Sequence, residues 1–259
     1  MNHNSSYIDL HLGASRKGRP FFCFLEEMIS EFLDFLYPPE CLVCQTSLSR
    51  NGWICPDCES HLQSTIDIKS QSNPEDFLYL SDSIYFNQIV TCWPYAPEIE
   101  ALVHHVKYHK GWRLGIRLGE MMGRVLSRAD VRDADCLIPV PLHPIRLRER
   151  GYNQSFLYCK GLHRIHPIPI LSKGLKRIRQ TPTQTHLDAD ARQANVSRAF
   201  RVRDAKSVHG KRVLLVDDVA TTGATMNACA RALVESGAKS VTGLAFVRPG
   251  MRFSPTEMT

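Results

Sequence analysis

The sequence predicts an α/β protein, with helices flanking a parallel sheet and a small four-cysteine module in front of it. Aliphatic runs alternate with helical patterns over the second half of the chain, and two CxxC pairs precede them. With 259 residues, 43% of them hydrophobic, the chain can bury a full core and still carry a small module. We therefore expect a disordered tail at 1–20, an amphipathic helix and the cysteine module at 21–65, a linker at 66–83 and the α/β domain at 84–250.

Composition bounds the partners and the compartment. The formal net charge of +6 and the pI near 8.9 suit phosphorylated ligands or nucleic acid without choosing between them. No apolar run approaches the ~20 residues that a membrane helix needs, so we expect no membrane span. Nine cysteines occur, but four form the CxxC pairs and the others stand singly in apolar patterns. With no signal peptide, this usage favours a reducing compartment and hence the cytoplasm.

The first 36 residues divide into two patterns. Residues 1–20 lack periodicity and are expected to be disordered. In residues 21–36, apolar side chains recur at helical spacing with acidic ones between them, and two prolines end the pattern. The acidic polar face of this helix favours docking on the protein body over a membrane-surface role.

Four cysteines follow at a metal-ligand spacing: Cys41, Cys44, Cys55 and Cys58. Each CxxC turn can bring two sulfurs to one metal, and four thiolates make a closed tetrahedral zinc site with a structural role. His61 is a spare candidate, but four cysteines already complete the set. Redox-active dithiols and simple packing are the alternatives.

The next part of the chain predicts a strand at 89–93 and helices at 97–108 and 112–126. Two histidines at the end of the first helix, His105 and the following His109, have the i, i+4 spacing that can bind a metal. No carboxylate completes the set, so solvated histidines are favoured.

One stretch carries the predicted binding site. The aliphatic run at 213–216 is typical of a strand buried on both faces, and Asp217 and Asp218 stand where it should end. A loop of small and hydroxyl residues then leads into a helix from Thr225, where free amides and the helix dipole would favour a phosphate. The carboxylates would instead accept hydrogen bonds from sugar hydroxyls, directly or through a divalent cation. The stretch therefore predicts a sugar-phosphate site.

This order resembles the phosphoribosyl pyrophosphate (PRPP) motif of type I phosphoribosyltransferases. The resemblance implies that the two acids face the ribose and that the loop wraps the 5'-phosphate. It departs from the family pattern at Ala220, where a larger aliphatic residue is usual. The implied PRPP-binding residues are Asp217, Asp218, Val219, Ala220, Thr221, Thr222, Gly223, Ala224 and Thr225.

A second candidate segment combines prolines with arginines after a short strand that begins at Cys136. Prolines lower the entropy lost when a loop is ordered, and arginine forks suit phosphate oxygens. We expect this loop to hold the pyrophosphate of the ligand. Its candidate residues are Pro141, Leu142, His143, Arg148 and Arg150.

Across the chain the resemblance is to one subgroup, the ComF family, also called competence protein F or amidophosphoribosyltransferase-like. It covers about residues 21–249 and rests on the CxxC pairs, Lys107 with Tyr108, the motifs at 139–143 and 148–154, and the PRPP loop. The resemblance implies a type I phosphoribosyltransferase-like sheet with an N-terminal zinc module. It also implies a mobile lid containing Thr181, Gln184 and Arg192 that excludes water, although a solvated basic loop is the alternative.

The implied reaction displaces pyrophosphate from C1 of ribose by a nitrogen nucleophile, with Mg²⁺ on the pyrophosphate. The sequence assigns no catalytic residue and no acceptor base, so whether the protein is an enzyme stays open. The family resemblance implies a part in DNA uptake, in the handling of incoming single-stranded DNA, or in nucleotide salvage, with uptake-machinery proteins as further partners. The alternative is a non-catalytic, zinc-containing accessory protein that binds single-stranded DNA or senses PRPP.

Overall fold

The computed structural model describes residues 39–48, 52–64, 71–72, 83–126, 133–178 and 199–248. Its strands are β1 (Gln71–Ser72), β2 (Gln88–Pro94), β3 (Cys136–Pro139), β4 (Leu175–Arg177), β5 (Phe200–Val202), β6 (Arg212–Val219) and β7 (Ser240–Arg248). Its helices are α1 (Pro56–Ser64), α2 (Pro97–Tyr108), α3 (Trp112–Leu126), α4 (Pro144–Arg150), α5 (Gln154–Ile165) and α6 (Ala224–Glu235).

The main sheet has five strands in the order β1-β2-β7-β6-β3. The last four run parallel to one another, and β1 pairs antiparallel with β2 at the edge. A separate antiparallel pair is formed by β4 and β5. Strand β6 lies between β7 and β3, and both of its faces are buried. Its continuous aliphatic run follows from this burial.

Helices cover both faces of the sheet. Alternate residues of β6 belong to two different apolar clusters. Leu214 and Val216 belong to the first cluster, and Val213 and Leu215 belong to the second. The first cluster is built with α2, α3 and α5, and the second with α6 and the β4–β5 pair. This layered arrangement confirms the predicted α/β fold.

Two predicted loops differ from the structure. The arginine segment, expected as a turn, forms α4, because His143 accepts a hydrogen bond from the amide of Ile145 (3.3 Å), Pro144 opens the helix and Gly151 ends it at φ 84°. Strand β6 continues through the two acids to Val219, since its pairing with β7 extends that far.

Several predictions fall on residues outside those described. They are the 1–20 tail, the 21–36 helix, the lid residues and most of the 66–83 linker, of which Gln71 and Ser72 form β1. No helix in the described ranges combines the length and the apolar character needed to cross a bilayer.

Candidate functional site

The two acids lie near the carboxyl end of β6, where Asp217 is 8% exposed and Asp218 is 6% exposed. Asp217 Oδ1 accepts hydrogen bonds from Ser155 Oγ (3.0 Å) and from the amide of Asp218 (2.9 Å). Asp218 Oδ2 accepts one from Gln154 Nε2 (3.3 Å) and forms an ion pair with Lys107 Nζ (2.7 Å). Each buried carboxylate therefore has protein partners.

The start of α5 supplies those partners. Asn153 caps this helix by accepting a hydrogen bond from the amide of Ser155 (3.0 Å), and its own side-chain amide donates to the carbonyl of Val140 (2.9 Å). The second bond fixes the helix start against the end of β3. The positive end of the α5 dipole consequently faces the acids and offsets part of the cost of burying their charge.

Burial divides the roles of the two acids. It raises the pKa of Asp217 well above its usual value, and the neighbouring Asp218 carboxylate raises it further. Beneath the pair, burial together with both acids raises the pKa of Tyr158, whose hydroxyl has no hydrogen-bond partner among the described residues. Asp217 therefore holds a proton more readily than a solvated aspartate does, and Asp218 is the acid that forms an ion pair with a cation.

The loop after β6 presents unpaired donors. Thr221 and Thr222 are exposed, and Gly223 takes a left-handed conformation at φ 79° directly before α6. The amides of Thr222, Gly223 and Thr225 donate no hydrogen bond to any described residue, while Ala224 donates to Thr222 Oγ1 (3.3 Å). Open amides at the first turn of a twelve-residue helix are suited to a phosphate.

A cation-lined cavity of about 160 Å³ lies beside Lys107. Arg150 donates to Gln154 Oε1 and lies over the Tyr108 ring, 5.7 Å from its centroid. Through Gln154 and Lys107 the cavity is connected to Asp218. Four cations and one acid line the cavity, which suits it to an anion. Its lining residues are Lys107, Tyr108, Lys110, Arg146, Glu149 and Arg150.

The cysteine module brings its four sulfurs together. The Sγ atoms of Cys41, Cys44, Cys55 and Cys58 all lie within 4.8 Å of one another. Gln45 turns the first CxxC loop with a left-handed φ of 61°, and a hydrogen bond from the Thr46 hydroxyl lowers the pKa of Cys44 to about 6. Convergent sulfurs of this kind fit a closed structural zinc site, and His61 is not part of the group.

The module is fastened to the α/β core. Leu62 of α1 is buried in the first apolar cluster, and its carbonyl accepts a hydrogen bond from Trp93 Nε1 of β2 (2.8 Å). Arg117 of α3 forms ion pairs with Glu59 of α1 and with Glu120 (3.0 Å). Because the two parts share one core, their stabilities are coupled.

Comparison with known proteins decides the family. Residues 167–254 match the model of the phosphoribosyl transferase domain, and residues 32–69 match that of the double zinc ribbon domain. The chain is 30% identical over 210 residues to the DNA utilization protein YhgH of Escherichia coli O157:H7, an alignment that spans 78% of this chain and 86% of that protein. The chain belongs to the ComF family.

Two other ComF relatives agree with this assignment. Competence protein F of Haemophilus influenzae is 40% identical over 108 residues, which cover 41% of this chain and 47% of that protein. Competence protein ComFC of Bacillus subtilis is 25% identical over 231 residues, which cover 87% of this chain and 91% of that protein. The predicted family and fold class are confirmed, and the zinc ribbon match together with the cysteine cluster supports structural zinc.

Of the residues predicted for pyrophosphate in this ComF protein, Arg150 lines the cation cavity. Arg148, Pro141 and Leu142 do not line it, and His143 instead caps α4. The assignment of this segment to pyrophosphate stays a prediction. The lid residues Thr181, Gln184 and Arg192 lie outside the described ranges.

The sequence does not predict most of the residues that hold the acids or line the cation cavity. No sequence pattern assigns Ser155 or Lys110 to a site, Arg146 is included only as part of the arginine segment, and Gln154 and Lys107 stand only in ComF motifs. The pairing of Lys107 with Asp218 joins residues far apart in the chain, so no local pattern could indicate it. The motif that ends α2 with Lys107 and Tyr108 was the available signal.

The histidines at the end of α2, His104, His105 and the capping residue His109, form no metal site with other described residues. His105 and His109 stack with ring centroids 5.2 Å apart, and among the described residues only the four cysteines form a group able to hold a metal. Burial lowers the pKa of His105, and the nearby His109 and His104 lower it further. These histidines border a second cavity, of about 390 Å³, against Leu42 of the zinc module.

Proposed function

We propose that this ComF protein binds PRPP and transfers its phosphoribosyl group to a nitrogen nucleophile. In this proposal the loop 221–225 holds the 5'-phosphate, Asp217 and Asp218 face the ribose hydroxyls, and the cation cavity receives the pyrophosphate. The supporting observation is the order at the end of β6, where a buried acid pair is followed directly by amides with no partner among the described residues. The phosphoribosyl transferase domain match gives this order its ligand class.

Each part of the site would act on a different part of the ligand. Transfer breaks the bond between C1 and the pyrophosphate oxygen and forms one between C1 and nitrogen. The arginines and lysines of the cavity would bind the leaving pyrophosphate, and the acids would orient the ribose. The phosphate oxygens of PRPP and the carboxylate of Asp218 are hard donors of the kind that Mg²⁺ prefers, and they would hold the ion. Mg²⁺, when bound, would neutralise part of the negative charge on the leaving pyrophosphate.

Calorimetry with PRPP at fixed Mg²⁺ tests the site. We expect magnesium-dependent binding to the wild type, and none to the double variant Asp217→Ala, Asp218→Ala. Asp135→Ala is the matched control, because Asp135 pairs with Arg212 at the opposite end of β6 (3.0 Å). Undiminished binding in the double variant would reject the proposed site. A turnover screen across nucleobases, following release of pyrophosphate, then tests transfer.

A second function, contact with single-stranded DNA, is favoured by an exposed aromatic and basic surface. Tyr108 is 62% exposed and Trp112 is 47% exposed. Arg150 lies 5.7 Å from the Tyr108 centroid, and Arg113 lies 5.0 Å from the Trp112 centroid. Proteins that bind single strands combine such stacking rings with cations along the backbone. Relatives named for DNA utilization and competence are in keeping with a role in DNA uptake, which we place in the cytoplasm beside uptake proteins.

Fluorescence anisotropy with a labelled oligonucleotide tests this second function. We expect the affinity to fall steeply as salt rises, and Trp112→Ala to weaken it. Tyr95→Ala is the control, since Tyr95 is 46% exposed and its hydroxyl donates to the carboxylate of Glu100. An affinity that does not respond to salt would reject the proposal. Competition by PRPP would place both ligands on the same surface.

A further inference from the structure

We propose that Lys107 is an exchangeable counterion, paired with Asp218 in the free protein and transferred to the pyrophosphate when PRPP binds. Asp218 would then accept a ribose hydroxyl only when an anion occupies the cation cavity. The inference rests on the proposed PRPP site and adds a positioning residue and a coupling to it.

From its position, Lys107 can contact either Asp218 or an anion in the cation cavity. Its Nζ lies 2.7 Å from Asp218 Oδ2, while its side chain is 24% exposed and lines the cavity. Asp218 keeps a second donor, Gln154 Nε2 at 3.3 Å, when the lysine leaves. The same ammonium group can therefore contact the buried acid or an anion in the cavity without leaving the carboxylate wholly unpartnered.

Charge favours the exchange only when an anion is present. Of the cations in the cavity, Arg146 has Glu149 as an ion-pair partner (3.3 Å), whereas the ion pair of Lys107 is with Asp218. Separating a buried pair leaves an uncompensated charge, which holds the pair together in the free protein. A pyrophosphate brings several negative charges to Lys107, and the ribose hydroxyls of the same ligand replace the lysine at Asp218.

The backbone around Lys107 is fixed, so the exchange requires only a side-chain rotation. The Tyr152 hydroxyl donates to the carbonyl of Val106 (2.5 Å) and ties the last turn of α2 to the segment before α5. Lys110, which also lines the cavity, has a left-handed φ of 53° that is unusual for a residue with a side chain. Strain of this kind concentrates at functional sites, and here it places a second lysine at the cavity.

The exchange predicts that pyrophosphate and ribose 5-phosphate bind cooperatively, since each favours the state in which Lys107 has left Asp218. Calorimetry would measure ribose 5-phosphate affinity with and without saturating pyrophosphate, at constant free Mg²⁺. We expect pyrophosphate to raise that affinity severalfold in the wild type. In Lys107→Met we expect ribose 5-phosphate alone to bind more tightly than to the wild type, PRPP to bind about tenfold more weakly, and the cooperativity to vanish.

Lys110→Met is the matched control, because Lys110 lines the same cavity and has no ion pair with Asp218. It should weaken PRPP and leave the cooperativity intact. Independent binding of the two half-ligands to the wild type would overturn the exchange, and so would equal weakening of both PRPP and ribose 5-phosphate in Lys107→Met. If Lys107→Met fails to fold, the ribose 5-phosphate affinity of the wild type with and without pyrophosphate still tests the exchange. A wild type that binds neither PRPP nor ribose 5-phosphate would instead reject the proposed function.

Discussion

The contact between α3 and α5 offers a sharp test of how the acid pair is supported. A Cβ atom on Gly161 of α5 would lie 2.1 Å from the carbonyl oxygen of Ile116 and 2.5 Å from the amide nitrogen of Glu120, both in α3. Those are backbone atoms and cannot rotate away. In Gly161→Ala, the 2.1 Å contact must open to about 3.4 Å before it becomes ordinary van der Waals contact, so the helices must separate.

The expected cost follows from two opposing effects. Overpacking costs about 1–3 kcal/mol, and alanine in place of glycine inside a helix returns about 1 kcal/mol. We expect the overpacking cost to lie near its upper end because both contacts are backbone, which gives a net loss of about 2 kcal/mol and a midpoint lowered by about 4–8 °C. PRPP affinity should fall as well, since Gln154 and Ser155 at the start of α5 hold the acids.

Urea and thermal unfolding check the magnitude, with Gly115→Ala as the control. A Cβ on Gly115 would meet Leu157 Cδ1 at 2.9 Å and Leu157 Cβ at 3.1 Å, which are side-chain atoms that need to move by only a few tenths of an ångström. The control should unfold within about 1 kcal/mol of the wild type, on either side. If Gly161→Ala proved as stable as Gly115→Ala, the close backbone packing described here would be refuted.

Three further predictions concern the metal and the titrating groups. Zinc removal by a chelator should lower the unfolding midpoint of the whole chain, because Leu62 joins the module to the core; an unchanged midpoint would contradict this coupling. Asp217→Asn should become more stable relative to the wild type as the pH rises above about 4, because burial raises the pKa of the folded acid above that of the unfolded chain. A difference in the free energy of unfolding that stays constant from pH 5 to 8 in urea would contradict this. Hydrogen bonds from Arg212 hold the pKa of Asp135 at about 2, so Asp135→Asn should be less stable than the wild type at pH 6. The difference in the free energy of unfolding should shrink between pH 4 and pH 2. A difference that does not change with pH would count against the pairing.

The zinc module gives the site an indirect support. Its helix α1 contacts β2 through Trp93 and α3 through Arg117, and α3 in turn packs on α5, which holds the acids. Loss of the metal is therefore expected to reach the acid pair through packed helices rather than through any direct contact.

Local patterns made most of the fold predictable. The helices at 97–108 and 112–126 have the predicted bounds, because their periodicity and their proline and glycine boundaries are local signals. The pattern at 144–150 predicts a loop, but the structure has a helix there. His143 caps its start, Pro144 is its first residue and Gly151 ends it. Prolines usually indicate a loop, but proline is also favoured at the first position of a helix, which is where Pro144 stands.

The sequence by itself determined several of the helices and strands, the cysteine set, the acid pair and the hydroxyl loop, because each depends on residues within a few positions of one another. Only the tertiary structure decided that Lys107 of α2 pairs with Asp218 of β6, and that Ser155 of α5 bonds to Asp217. Those contacts depend on how α2 and α5 pack over the sheet. A carboxylate pair therefore appears in the sequence as a ligand site, but its counterion and its protonation are set by distant residues and by burial.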